Sequence, residues 1–138
     1  MVCQEEIRIN TQDRHETHDI TSRVAEIVQK SGIKTGIVNV FNVGSTGGIG
    51  SIELERGLAH DIGAILDKFV PPDGEYAHQE TAKDANAHSH LQATLLGPSL
   101  TVPVAEGRPV LGTWQQIFFL ECDVRPRRRT IIVTVTGE

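Results

Sequence analysis

The run SLTVPVAEGRPVLGTWQQIFFLECDVRPRRRTIIVTVTG, residues 99–137, decides the fold. Its apolar, β-branched pieces SLTVPV, PVLGTWQQIFFLECDV and RTIIVTVTG read as three strands, joined by a turn at Ala105-Glu106-Gly107 and another at the Arg-Pro cluster. Upstream, GIVNVFNV (36–43) reads as a buried strand, followed by the glycine-rich turn Gly44-Ser45-Thr46-Gly47-Gly48 and a short strand from Gly50 to Leu54. Near the start, Val2, Ile7 and Ile9 alternate in part with charged neighbours, as a strand with one wet face does.

Helices interrupt these strands. Asp19 is placed to cap a first helix in which Ile20, Val24, Ile27 and Val28 recur at helical spacing, with Gly32 as its stop. Leu58, Ile62, Ile65, Leu66 and Phe69 keep one apolar stripe along a second helix that Pro71-Pro72 ends. The polar stretch from Pro71 to Ala87 is too long for a bare connector and is expected to be a functional loop. Leu91, Leu95 and Leu96 before Gly97-Pro98 suggest a short third helix. Paired strands broken by helices make residues 1–138 one α+β domain with a mostly antiparallel sheet and two to three helices.

Bulk properties narrow the function. At 138 residues the chain holds one sizeable core, and 38% hydrophobic with 22% charged residues is ordinary globular usage. A formal charge of -5 argues against a surface that grips nucleic acid. No stretch approaches the ~18 apolar residues of a membrane helix, and the acidic start does not read as a signal peptide, so the expected compartment is the cytoplasm, with no membrane partner. Cys3 and Cys122 lack metal or disulfide spacing and read as packing residues.

Five polar groups are candidates for chemistry. His78, His88 and His90, flanked by Glu80, Asp84 and Asn86, offer imidazoles and carboxylates of the kind that hold a divalent ion such as zinc or magnesium. On extended backbone His88 and His90 would point the same way, whereas on a helix they diverge by about 200° and cannot share an ion. Glu53 and Asp61, at the start of the second helix, could serve as base or further ligand, Asp61 from the rim of the interior. Ser45 and Thr46 in the glycine turn could cradle a phosphate, although the turn is not a Walker loop. Arg127 and Arg129, sharing one face of a strand, could offer a forked donor to that phosphate. Gln115, beside the single Trp114, reads as a buried strand amide for which a site could supply partners.

Ser99 through Ile117, with two spaced glycines and TWQ, resembles the signature of the YjbQ family, also described as secondary thiamine-phosphate synthase-like. GEYAHQET, NAHSHLQATLLGPSLTVPV and RPRRRTIIVTVTGE agree with it, so the resemblance covers nearly the whole chain, most clearly from about Gly36 onward. It implies a sandwich-like β core, a homotrimer, a polar site that holds a metal ion or an anion, and weak thiamine-phosphate synthase activity. By position, His78 and His90 match the family's histidines, His88 those of a subgroup, Asp61 a helical aspartate, and Glu53 lies near an acidic position. Many members carry HT[ST]A where this chain has GSTGG, so a loop histidine is replaced here. Two readings follow: a metal-dependent transferase acting on small phosphorylated ligands, with Asn86 and Gln115 also contacting substrate, or a trimer that binds metal, anion or small ligand without turnover.

Overall fold

The computed structural model describes residues 1–138. Eight strands and four helices follow the chain as β1 (Val2–Thr11), β2 (Thr17–Asp19), α1 (Thr21–Ser31), β3 (Thr35–Val43), β4 (Gly47–Ile52), α2 (Arg56–Phe69), α3 (Ala77–Thr81), α4 (Ala87–Leu96), β5 (Ser99–Ala105), β6 (Arg108–Pro109), β7 (Gln116–Glu121) and β8 (Arg127–Gly137). A five-stranded sheet has the order β1-β8-β3-β5-β6 and a three-stranded sheet the order β2-β7-β4, with every pairing antiparallel. The α+β class and antiparallel pattern expected from the sequence hold, with four helices rather than two or three.

Strand β7 explains the layering. Ile117 and Phe119 enter the main core with Ile7, Val38, Ile131 and Val133 of the large sheet, closed at one side by Val24, Ile27 and Val28 of α1. Phe118, Leu120 and Cys122 point the other way, against Leu66 of α2 and Ala93 of α4. A strand buried on both faces needs a continuous apolar run, and QIFFLE supplies it. β8 instead alternates: Arg129, Ile131, Val133 and Val135 point inward while their neighbours stay partly wet.

Three local expectations change. The first helix is flanked by Ile20 without a side-chain cap, and Asp19 Oδ1 accepts from Thr21 N at 2.9 Å in a local turn instead. β4 starts at Gly47 rather than Gly50, because backbone pairing with β7 needs no side-chain pattern and glycine shows none. Trp114 and Gln115 lie in an exposed turn ahead of β7 rather than on a strand. There Gln115 Oε1 accepts from Gly112 N at 3.0 Å and its Nε2 donates to Ser51 Oγ at 3.1 Å.

Candidate functional site

Helix α4 divides the polar residues into two groups. The long loop before it contains the short α3, and α4 begins at Ala87, so His88 and His90 both ride on helix. Two positions apart, they leave it on different sides. The three histidines therefore do not converge, and no group of three or more His, Cys, Asp or Glu side chains is arranged to hold a metal ion. What the structure does bring together is His78 and His90, whose rings meet edge-on with centroids 5.1 Å apart. Behind them the buried Asn86 takes His78 Nε2 on its Oδ1 at 3.2 Å. A carboxamide oxygen only accepts, so His78 Nε2 is the donor in this contact and Nδ1 is the ring nitrogen left without a partner from Asn86.

His88 turns toward a second group. It is 3% exposed, and its Nε2 has no partner, nor has the neighbouring Ser89 Oγ. Burial first, then the charge of Arg14, hold its imidazole below the ordinary histidine range and so neutral at pH 7. Arg14 grips Asp67 of α2 in a fork, Nη1 to Oδ1 at 2.7 Å and Nη2 to Oδ2 at 2.9 Å. Gln92 of α4 donates its Nε2 to Asp67 Oδ1 at 2.8 Å and to the Val70 carbonyl at 2.9 Å. Those two donations fix the amide and leave its Oε1 2.8 Å from His15 Nε2, which also lies 3.1 Å from Arg14 Nη1. The Arg14 bonds, against the cost of burial, draw the Asp67 carboxyl down to about 2. His15 itself sits at φ 64, a left-handed conformation that a side chain rarely adopts.

The third group lies under the glycine turn. Arg129 reaches inward from β8 and donates Nε to Glu121 Oε1 at 2.9 Å, with Nη2 on Glu121 Oε2. The same Nη2 meets Thr46 Oγ1 at 2.9 Å and the Thr46 carbonyl at 3.1 Å. Thr46 Oγ1 in turn donates to Asp123 Oδ2 at 3.0 Å, which also takes Arg127 Nε at 2.7 Å. Burial works to raise the Asp123 carboxyl, and the hydrogen bonds from Val124 N, Arg127 and Thr46 outweigh it and lower it. The forks of Arg127 and Arg129, expected to face a phosphate, are thus largely committed to internal carboxylates, because a carboxylate buried this deeply needs a cation.

The remaining candidates stand apart. Asp61 faces water on α2, with His60 at 3.5 Å, rather than the interior rim, and Glu53 is exposed before that helix. Gln115 is exposed, not buried. Ser45 sits exposed at the tip of the glycine turn beside Thr46. Cys122 is buried, and burial pushes its thiol up to about 12, the inert packing thiol expected of it. Sequence reasoning passed over Arg14, His15, Asp67 and Gln92. The available signal was a polar residue set among the apolar ones of its helix, Asp67 beside Leu66 and Gln92 beside Ala93.

Known proteins share this fold. A family profile described as UPF0047 protein YjbQ-like matches residues 5–138. A UPF0047 protein of Methanothermobacter thermautotrophicus is 48% identical over 137 residues, 99% of this chain and 94% of its own. One from Archaeoglobus fulgidus is 43% identical over 93% of this chain and 97% of its own. Among solved structures, a YbjQ-like protein of unknown function from Sulfolobus solfataricus superposes with a TM-score of 0.89 at 41% identity, covering 100% of both chains. A fold with this register, agreeing over its whole length with relatives this similar, places the chain in the YjbQ/UPF0047 family.

Proposed function

We propose that the chain is a metal-dependent enzyme acting on small phosphorylated ligands, with slow thiamine-phosphate synthase activity, working as a homotrimer in the cytoplasm. The observation that carries the proposal is the edge-on His78–His90 pair backed by Asn86. A metal-binding imidazole characteristically has its other nitrogen tied to an oxygen, and His78 is tied in that way. Two imidazoles suit zinc better than magnesium, which prefers oxygen. They make half of a four-coordinate site, leaving the other positions to water, a ligand oxygen or a neighbouring copy. When bound, the ion supplies Lewis-acid stabilisation of a departing pyrophosphate. Asn86 holds the His78 ring, and the neutral His88, on the opposite side of α4, is no part of the pair.

Trimer formation is supported by apolar side chains left open on two helices, Phe69 (76% exposed) and Ile65 on α2 and Leu91 and Leu95 on α4. No helix is long and apolar enough to cross a membrane. The two free thiols suit a reducing compartment. Elemental analysis of protein purified without chelator should find stoichiometric metal, and His90→Ala should lose it along with the pyrophosphate released when a pyrimidine pyrophosphate is joined to a thiazole phosphate. Full turnover by metal-free protein would overturn the mechanism.

A second reading, ligand binding without turnover, is favoured by the internal commitment of Arg127 and Arg129 and by GSTGG standing where many relatives have a histidine. It predicts thermal stabilisation that grows with anion or metal concentration and no product.

A further inference from the structure

Strand β1 forms an outer edge of the large sheet and is unpaired on one side along its whole length. Its ten residues follow β8 in an unbroken register, from Val2 opposite Thr136 to Thr11 opposite Arg127, with no bulge and no proline to blunt the edge. Next to the strand, Met1 and Gly137 exchange both backbone hydrogen bonds, at 3.0 and 3.1 Å. In an antiparallel ladder such two-bond pairs recur at every second residue, so Cys3, Glu5, Ile7 and Ile9 direct their backbone groups to β8. Gln4, Glu6, Arg8 and Asn10 therefore turn their N–H and C=O groups to the open side. The side chain that reaches these groups is that of the exposed Arg23 on α1, whose two Nη atoms stand 3.5 Å from the Arg8 carbonyl, the outer limit of a hydrogen bond. Beside the edge lies a groove of about 340 Å³, lined by Glu6 and Ile7 of β1 and by Arg23, Glu26 and Lys30 of α1.

We propose that this edge docks a second copy of the chain, whose β1 adds to it antiparallel about a two-fold axis through Ile7. In that register Glu6 stands opposite the partner's Arg8, Arg8 opposite the partner's Glu6, and Gln4 opposite the partner's Asn10. These are the residues with open backbone groups, so each such pair exchanges two hydrogen bonds and every N–H and C=O on the edge is matched. Sliding the partner by two residues sets Glu6 against Glu6 in one direction and Arg8 against Arg8 in the other, and a slide of one residue puts its side chains on the wrong face. Within one chain Arg8 Nη2 already meets Glu6 Oε2 at 3.1 Å, with the two side chains 82% and 48% exposed on the outer face. Across the axis the four charges alternate in a closed square. Such self-complementarity selects the chain itself over an unrelated strand, because charge pairing sets partner and register in strand addition. On the inner face Glu5, opposite the partner's Ile9, keeps the charge of Lys30 within range. A two-fold contact joins copies in pairs and cannot close a trimer, so this surface is separate from any three-fold one and adds to it.

The test is the mass of the full-length protein by light scattering and sedimentation, wild type against the charge-reversed variants Glu6→Arg and Arg8→Glu. Wild type is expected at twice the mass of either variant alone, since each variant sets like charges across the axis. An equimolar mixture of the two variants should regain the doubled mass, because acids on one strand then face bases on the other. That recovery belongs to the proposed register, and variants that merely failed to fold would not show it. Amide hydrogen exchange reads the same contact: the Glu6 and Asn10 amides should exchange about tenfold more slowly in wild type than in Arg8→Glu. Equal masses for wild type and Arg8→Glu, or a mixture that stays at the mass of the single variants, would overturn the docking. The mass of Arg8→Glu alone decides the trimer, three chains upholding it and one chain removing it, while the doubling is judged separately in either case.

Discussion

Asp67 shows how one carboxylate joins three segments. It accepts from Arg14 in the loop after β1 and from Gln92 on α4 while itself belonging to α2. Its carboxyl lies at about 2 in the folded protein against an ordinary 3.8, so the unfolded chain takes up the proton first as the solution is acidified. The stabilisation is therefore complete above pH 3.8 and disappears as the pH falls through 2. Asp67→Asn should cost about 1.5 kcal/mol at pH 6, the scale of a charged hydrogen bond, and flatten the acid limb of stability below pH 4. Urea unfolding at pH 6, 4 and 2.5 checks it; an acid limb as steep as that of wild type would assign the acid sensitivity to other carboxylates.

At the scale of elements, α2 is shaped by its glycine. A Cβ on Gly63 would lie 2.6 Å from His15 Nδ1, so the helix leaves out a side chain to admit the imidazole that Gln92 orients. Gly63→Ala should cost about 1–3 kcal/mol despite alanine's better helix propensity, and His15→Ala in the same background should return part of it. Thermal unfolding of the two single variants and the double variant measures that coupling, and a stabilised Gly63→Ala would contradict the packing. The α2 stripe from Leu58 to Phe69 was legible because its period is written in side chains. The start of β4 was not, because Gly47 and Gly48 carry no pattern. Nor was α3, a helix too short to show a period. In the site, His78, Asn86 and His90 could be found because they are close in sequence. His15 and Gln92 meet only after folding, 77 positions apart, and nothing local announces the pair.

Across the whole molecule, the Arg129–Glu121 pair joins the two sheets, since Arg129 lies on β8 and Glu121 on β7. Thr11 of β1 adds its hydroxyl to Glu121 Oε1 at 2.6 Å. Arg129→Met alone should cost about 3–5 kcal/mol by leaving a carboxylate in the interior without its cation. The double variant Arg129→Met with Glu121→Leu should recover much of that loss, as denaturant midpoints for the cycle would show. Strict additivity would mean that the two residues act independently.

The order of the large sheet has a consequence for how the chain acquires its shape. β1 and β3 are joined only through β8, which lies between them and is made last of the three. While a ribosome is still adding residues, the earlier strands therefore wait without their central neighbour. The main core assembles after synthesis of its final strand, through long-range contacts that slow the search for the native state.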